Sequence, residues 1–251
     1  MARVAVVTGA SSGIGAALAR ALAARGWRCV LVARREERLR ELAGAIGGEA
    51  EVCDVSDREA VESLAARVIE RHPRIHLLVS NAGIGARAGF LDADAERIEQ
   101  TVRTNYLAGV WCLRAFLPAL EPAAPADVVN VVSVAGTIAY PRSGPYSASK
   151  HAQLAFSRAV TAELRPRGIT VHTVNPGFVE TEGFSQRGLP EPLRRAVIRP
   201  ERVAEHVLAS LEKGRGETTV PRWYVLFRFA QAASPNLLNR ILATDRSRIA
   251  S

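Results

Sequence analysis

Arg3 to Thr8 (RVAVVT) is a nearly unbroken apolar run that ends on Gly9. A run of this length without polar alternation reads as a strand covered on both faces, as in a parallel sheet. Gly9-Ala10-Ser11-Ser12-Gly13-Ile14-Gly15 follows, then alanine-rich Ala16 to Arg25, a helix stopped by Gly26. This is strand, glycine-rich turn, helix. Glycines let main chain approach a phosphate closely, and the first turn of the helix offers unpaired N–H groups and the positive end of a dipole. The spacing is Gly-x3-Gly-x-Gly rather than G-x-G-x-x-G, and alone it would also suit a tight turn with no ligand. The strand before it and the helix after it favour a dinucleotide.

The alternation continues. Arg28 to Ala33 (RCVLVA) is a second strand, Glu36 to Ile46 a helix closed by Gly47-Gly48, and Glu49 to Cys53 a third strand ending at Asp54. Asp57 caps a helix to Arg71, with Pro73 at its exit. Ile75 to Val79 is a fourth strand leading into Asn81-Ala82-Gly83-Ile84-Gly85. Phe90 to Leu120 carries helical periodicity with Asn105 inside it; Pro118 and the proline-rich Glu121 to Pro125 are expected to stop it. Asp127 to Ser133 is a fifth strand. A helix entered through Gly144-Pro145 begins at Tyr146 and runs to Arg165. Ile169 to Val174 is a sixth strand before Asn175-Pro176-Gly177, Glu201 to Lys213 a helix, and Glu217 to Arg222 an edge strand. This order implies right-handed crossovers and an α/β, Rossmann-like doubly wound parallel sheet with helices on both faces. Ligands of such sheets bind beyond the carboxyl ends of the strands. The glycine turn, Arg34, Asp54, Asn81, Ser133 and Pro176-Gly177 all fall there.

Arg34 and Arg35 stand at the end of the second strand, where an acid would hold the ribose 2′-hydroxyl of NAD and an arginine accommodates a 2′-phosphate. Glu36 and Glu37 come too late and open the next helix, so NADP(H) is favoured over NAD. The net charge of +8 admits nucleic acid, an acidic membrane surface or an anionic ligand. The arginines are scattered among acids and aromatics make up only 6%, which speaks against a nucleic-acid groove. Cys29, Cys53 and Cys112 are odd in number, lie in apolar runs and match no metal spacing. They read as reduced core residues, hence a reducing, cytoplasmic setting, with no metal. The start of the chain carries no secretory signal pattern, and no run of 18 apolar residues exists.

Tyr146 and Lys150 are four residues apart, on one face of the expected helix. A free phenol titrates near ~10, too high for a base at neutral pH, and a fixed ammonium beside it favours the phenolate. A drop of about three units corresponds to about 4 kcal/mol. Tyr-x-x-x-Lys is common on surfaces and weak alone. Of the 33 basic residues, however, Lys150 and Lys213 are the only lysines, so a lysine here marks a position suited to a compact ammonium.

Taken together, TGASSGIG at 8–15, Asp54-Val55, Asn81-Ala82-Gly83, Asn105, Ser133, YSASK at 146–150 and Pro176-Gly177 followed by Thr181 resemble the short-chain dehydrogenase/reductase family. The likeness covers the chain to about residue 222. It implies a seven-stranded sheet in the order 3-2-1-4-5-6-7 and a nicotinamide cofactor. The cofactor-binding set it implies is Gly9, Ser11, Ser12, Gly13, Ile14, Gly15, Arg34, Arg35, Asp54, Val55, Asn81, Ala82, Gly83, Tyr146, Lys150, Pro176, Gly177, Val179 and Thr181. Asp54 would contact the adenine amino group, Asn81 would lie beside the adenosine, and Thr181 would hold the carboxamide. Tyr146 would pass a proton to or from the substrate oxygen, Ser133 would hydrogen-bond that oxygen, Lys150 would lower the phenol and bond the nicotinamide ribose, and Asn105 would support a relaying water. One departure stands out: many NADP-preferring relatives carry a basic residue where this chain has Ser12, so the preference rests on Arg34 and Arg35.

The resemblance also implies a homodimer or homotetramer through the helix with Asn105 and the helix beginning at Tyr146. A substrate lid is expected over about 178–200, where Phe178, Phe184, Leu189, Leu193 and Val197 suggest a hydrophobic carbonyl compound. Residues 1–222 are thus one catalytic domain and 223–251 an apolar and basic extension. The extension is expected to pack on its own subunit or a partner; contact of 223–243 with a membrane surface is the alternative, and would suit a reductase of lipid-like, acyl or steroid-like ketones. His72, His76, His151, His172 and His206 are expected to be packing residues. A catalytically silent nucleotide-binding regulator is a second reading of the whole, and the intact Asn105, Ser133, Tyr146 and Lys150 set argues against it.

Overall fold

The computed structural model describes residues 2–85, 89–182, 184, 191–236 and 240. Seven parallel strands form one sheet in the order β3-β2-β1-β4-β5-β6-β7. They are β1 (Val4–Thr8), β2 (Arg28–Ala33), β3 (Glu49–Val52), β4 (Leu77–Ser80), β5 (Ala126–Val131), β6 (Ile169–Pro176) and β7 (Glu217–Val220). The helices are α1 (Gly13–Ala23), α2 (Glu36–Ile46), α3 (Arg58–Arg71), α4 (Ala95–Val102), α5 (Ala108–Leu120), α6 (Gly144–Leu164), α7 (Glu191–Arg194), α8 (Pro200–Glu212) and α9 (Val225–Ala233).

Alternation along the strands splits the core into two layers. Val4, Val6, Leu78 and Val128 face α3, α5 and α6 through Leu64, Phe116 and Leu164. Ala5, Val7, Leu77 and Val129 face α1, α2 and α8 through Leu18, Leu39 and Val207. The strand order reverses between β1 and β4, which opens a crevice at their carboxyl ends.

The departures from the sequence reading have local causes. The expected helix over Phe90–Leu120 is broken. Asp94 accepts a hydrogen bond from Arg97 N at 2.7 Å and so caps α4, leaving Phe90 and Leu91 on an exposed turn. A π-helical turn, Arg103–Leu107, separates α4 from α5. Pro118 does not stop α5 but lies within it: Phe116, Ala119 and Leu120 are fully buried and hold that turn against the sheet despite the missing N–H. Strand β4 starts at Leu77 because Ile75 N donates to Ala119 O of α5 (3.0 Å) instead of to a strand. Strand β6 reaches Pro176 because Asn175 and Pro176 pair with Thr219 and Val220 of β7.

Candidate active site

At the end of β1 the Thr8 hydroxyl donates to Val79 O and accepts from the main-chain N of Asn81 and Ala82. Asn81 Nδ2 returns to Thr8 O at 2.9 Å and Gly9 O at 3.4 Å. The Asn81-Ala82-Gly83 segment therefore braces the glycine turn, a task the expectation of a place beside the adenosine does not mention. The brace leaves no room in the turn: a Cβ on Gly15 would run into the Gly9 carbonyl and lie 2.6 Å from Asn81 Nδ2. Ser12 stands at the N-cap of α1 in extended conformation and makes no side-chain capping bond, so the first N–H groups of α1 are not spent on a local acceptor. This donor set fits a pyrophosphate. Thr181 closes over it, its Cγ2 lying 3.1 Å from where a Cβ on Gly13 would sit.

Arginines gather at the end of β2. Arg34 Nη1 lies 3.4 Å from Asp54 Oδ2. The other Asp54 oxygen accepts from Ser56 N and Oγ; burial opposes these contacts, but together they hold the carboxyl below its ordinary range. Arg35 donates to Ser11 Oγ at 3.1 Å and to Ser12 Oγ, and pairs with Glu182 at 2.5 Å. Arg38 pairs with the other Glu182 oxygen. Arg38 and Glu182 escaped the sequence reading. Arg38 lies four residues beyond Arg34, whereas the approach of Glu182 depends on the tertiary path of the chain after β6. Val55 is buried, and Val179 pairs with Ile198 in a short parallel bridge that anchors the segment leading to Thr181.

The second cluster lies at the ends of β4 and β5 and on α6. Beyond β5 the chain turns into a short 3-10 segment, Val134–Gly136, which Ser133 caps by accepting from Ala135 N at 3.1 Å. A Cβ on Gly136 would stand 2.7 Å from Lys150 O, so the small residue brings this turn against α6. That contact places the Ser133 hydroxyl in hydrogen-bond contact with Tyr146. Lys150, buried, donates to Val131 O at 3.3 Å and to Gln153 Oε1 at 2.8 Å; its Nζ is 6.0 Å from the Tyr146 ring centroid. Asn105, within the π-helical turn, accepts from Ile84 N (2.8 Å) and donates to Ile84 O (3.1 Å) and Ser149 Oγ (3.0 Å). Its amide ties the loop after β4 to α6 directly. Such turns recur where a helix must present a functional group.

The electrostatics correct one expectation. The ammonium does not hold the phenol low here: burial pushes Tyr146 above its ordinary value, and the Ser133 hydrogen bond opposes but does not overcome it. Burial also lowers Lys150 to about 7. Both shifts favour the neutral forms, as expected when desolvation outweighs a charge across a ring.

An aromatic wall stands where the chain leaves β6. Phe178 stacks on Phe184 (5.3 Å) and meets Tyr224 edge-on (6.2 Å); Tyr224, 2% exposed, packs against Gly177. Gln231 of α9 accepts from Ala139 N at 2.9 Å, and Arg228 pairs with Glu217. The described part of the extension thus packs on its own subunit beside the site, while Leu226 and Phe229 are exposed. Leu189, the side chain of Leu193, and residues 237–239 and 241–243 lie outside the described residues. Among those described, no helix is long and apolar enough to cross a membrane, and no cluster of metal-ligating residues occurs. His72 and His172 are buried and bonded to Glu49 and Asp127. His151 is exposed, with its ring on Ser147 O, and is not a packing residue.

A dinucleotide cradle and a serine–tyrosine–lysine cluster at one end of a doubly wound sheet define a nucleotide-dependent oxidoreductase. The profile described as short chain dehydrogenase matches residues 3–191. The chain belongs to that family. It is 34% identical over 238 residues to dehydrogenase/reductase SDR family member 7B of Xenopus laevis, covering 87% of this chain and 74% of the relative. It superposes with a TM-score of 0.83 on a Burkholderia phymatum short-chain dehydrogenase/reductase in complex with NAD (26% identity, 94% of this chain and 95% of the other). A Burkholderia cenocepacia short-chain dehydrogenase in complex with NADP gives 0.82 (31% identity, 96% and 97%).

Proposed function

We propose that this chain transfers a hydride between NADP(H) and the carbonyl or secondary alcohol of a small apolar substrate. The observation that carries the reading is the convergence of Ser133, Tyr146 and Lys150 beside the braced glycine turn. The nucleotide, when bound, supplies or takes the hydride. Tyr146 holds a proton on its hydroxyl for the substrate oxygen, Ser133 bonds that oxygen, and Lys150 stabilises the negative charge that develops there. A phenol raised by burial stays protonated at neutral pH, which suits the reducing direction. The Phe178, Phe184 and Tyr224 wall supports an apolar substrate. Three buried free thiols support a reducing compartment.

The preference for NADP(H) rests on Arg34, Arg35 and Arg38 beyond the end of β2, Arg35 bonding Ser11 and Ser12, with no acid at the strand end itself. Charge-assisted hydrogen bonds contribute about 1.5–3 kcal/mol each. Both arginines are exposed, so solvent screening reduces their joint effect to about that of one such bond: the double variant Arg34→Ala/Arg35→Ala is expected to weaken NADPH binding by about 10- to 100-fold and NADH binding by about twofold or less. Glu182→Gln, which releases Arg35 and Arg38, is expected to tighten NADPH by about two- to fivefold, since exposed pairs are weak. Fluorescence titrations with both nucleotides at fixed ionic strength check this; equal losses for the two in the double variant exclude the assignment.

Self-association is proposed through α5, the π-helical turn before it and α6, where Trp111 and an edge-on Tyr106–Phe156 pair (6.1 Å) are only half-buried. Phe156→Asp is expected to shift the protein to monomer in sedimentation velocity. An unchanged sedimentation coefficient would discard that surface.

A further inference from the structure

The stripe of α6 that carries Tyr146 and Lys150 reaches Gln153 one turn further on. Gln153 is as buried as Lys150, each being 4% exposed. Its Oε1 receives the shorter of the two hydrogen bonds from Lys150 Nζ, 2.8 Å against 3.3 Å to Val131 O. These acceptors engage two of the three ammonium donors. We propose that Gln153 is a positioning residue for Lys150: its amide oxygen fixes the ammonium at the end of β5 and keeps it charged, with the third N–H left for a ligand. The proposal rests on the role given to Lys150 above.

The groups around Lys150 come from several elements. Tyr146 and Gln153 face it from α6, and the Val131 carbonyl from β5. Asn105 Oδ1 and Lys150 Nζ both border Gly83, at 3.2 and 3.8 Å from where its Cβ would lie. Among the described residues Tyr146 is the one titratable side chain that borders Lys150, and no carboxylate forms an ion pair with it. Its charge therefore depends on neutral dipoles. An amide oxygen within hydrogen-bond reach stabilises the protonated form, opposing the burial that lowers it. A leucine at 153 keeps the bulk and removes the acceptor; a glutamate keeps the acceptor and adds charge.

Lys150 and exposed Lys213 are the only lysines, so the full chain made with 13C-lysine gives two Cε signals to follow against pH. In Gln153→Leu the Lys150 midpoint is expected to fall by about one pH unit, a tenfold loss of proton affinity, with Lys213 unmoved. In Gln153→Glu it is expected to rise by at least as much. The pH above which kcat/KM falls should move with it. A midpoint that stays in place, or moves the other way, overturns the proposal, because a residue that only fills space leaves the titration alone. If the leucine variant does not fold, the glutamate variant decides. The titration needs neither nucleotide nor turnover: a midpoint that moves in a chain without reductase activity would sink the functional reading and spare this one.

Discussion

Tyr146→Phe is expected to lower kcat for carbonyl reduction by about 10²- to 10⁴-fold, the usual contribution of a positioned proton donor, while NADPH binding changes by about twofold or less. The substitution removes one oxygen and keeps the ring that packs beside Lys150. The hydrogen bond from Ser133 is lost, so Ser133→Ala is expected to cost less in the Phe background than alone. The pH dependence has a definite sign. Tyr146 is raised, so it remains a phenol, able to give its proton, across the neutral range. Lys150 titrates at about 7, so its positive charge is present below that pH and lost above it. Reductive kcat/KM, which reports the free protein, should therefore fall as pH rises through about 7. Rapid-mixing kinetics with NADPH and an aryl ketone check both parts. A Phe variant with undiminished turnover would return the chain to the regulatory, non-catalytic reading.

The inner part of the sheet was legible because strands such as β1, β2 and β4 are apolar runs bounded by turn residues: RCVLVA and the helix from Glu36 to Ile46 match β2 and α2 to the residue. The edge strands β3 and β7 (EAEV and ETTV), by contrast, are polar at half or more of their positions. Legibility failed where tertiary bonds override periodicity. Asp94 and the π-helical turn divide a segment that is helical throughout in pattern, and Ile75 leaves the sheet for a carbonyl of α5. At the site, motif residues were readable one by one, but their partners were not. Gln153 lies on the stripe of Tyr146 and Lys150, a signal present in the sequence. Glu182 meets Arg35 and Arg38 from 147 and 144 residues away in sequence, and nothing local predicts it. The sign of the Tyr146 shift was not legible either, because spacing along a helix says nothing of desolvation.

Gly15→Ala is expected to weaken nucleotide binding by at least about tenfold and to cost about 1–3 kcal/mol of stability, the range for overpacking a tight site. The added methyl group meets the Gly9 carbonyl oxygen, with Asn81 Nδ2 at 2.6 Å and Gly9 C at 2.8 Å. Neither neighbour is free to yield. The Gly9 carbonyl belongs to a turn closing β1, and Asn81 is held to Thr8 by its side chain and its main chain. Relief must come from moving α1 away from the turn, which displaces the N–H groups of its first turn from a bound phosphate. Gly44→Ala is the matched control. Gly44 lies inside α2 with nothing within 4 Å of the added carbon, so alanine there is expected to be neutral or to stabilise by up to about 1 kcal/mol through helix propensity. Thermal unfolding of both variants, with and without saturating NADPH, separates the effects: Gly44→Ala should keep the full stabilisation by nucleotide, and Gly15→Ala should lose most of it. Equal stabilisation of the two would mean that the approach of α1 to the Gly9 turn is not what the nucleotide requires.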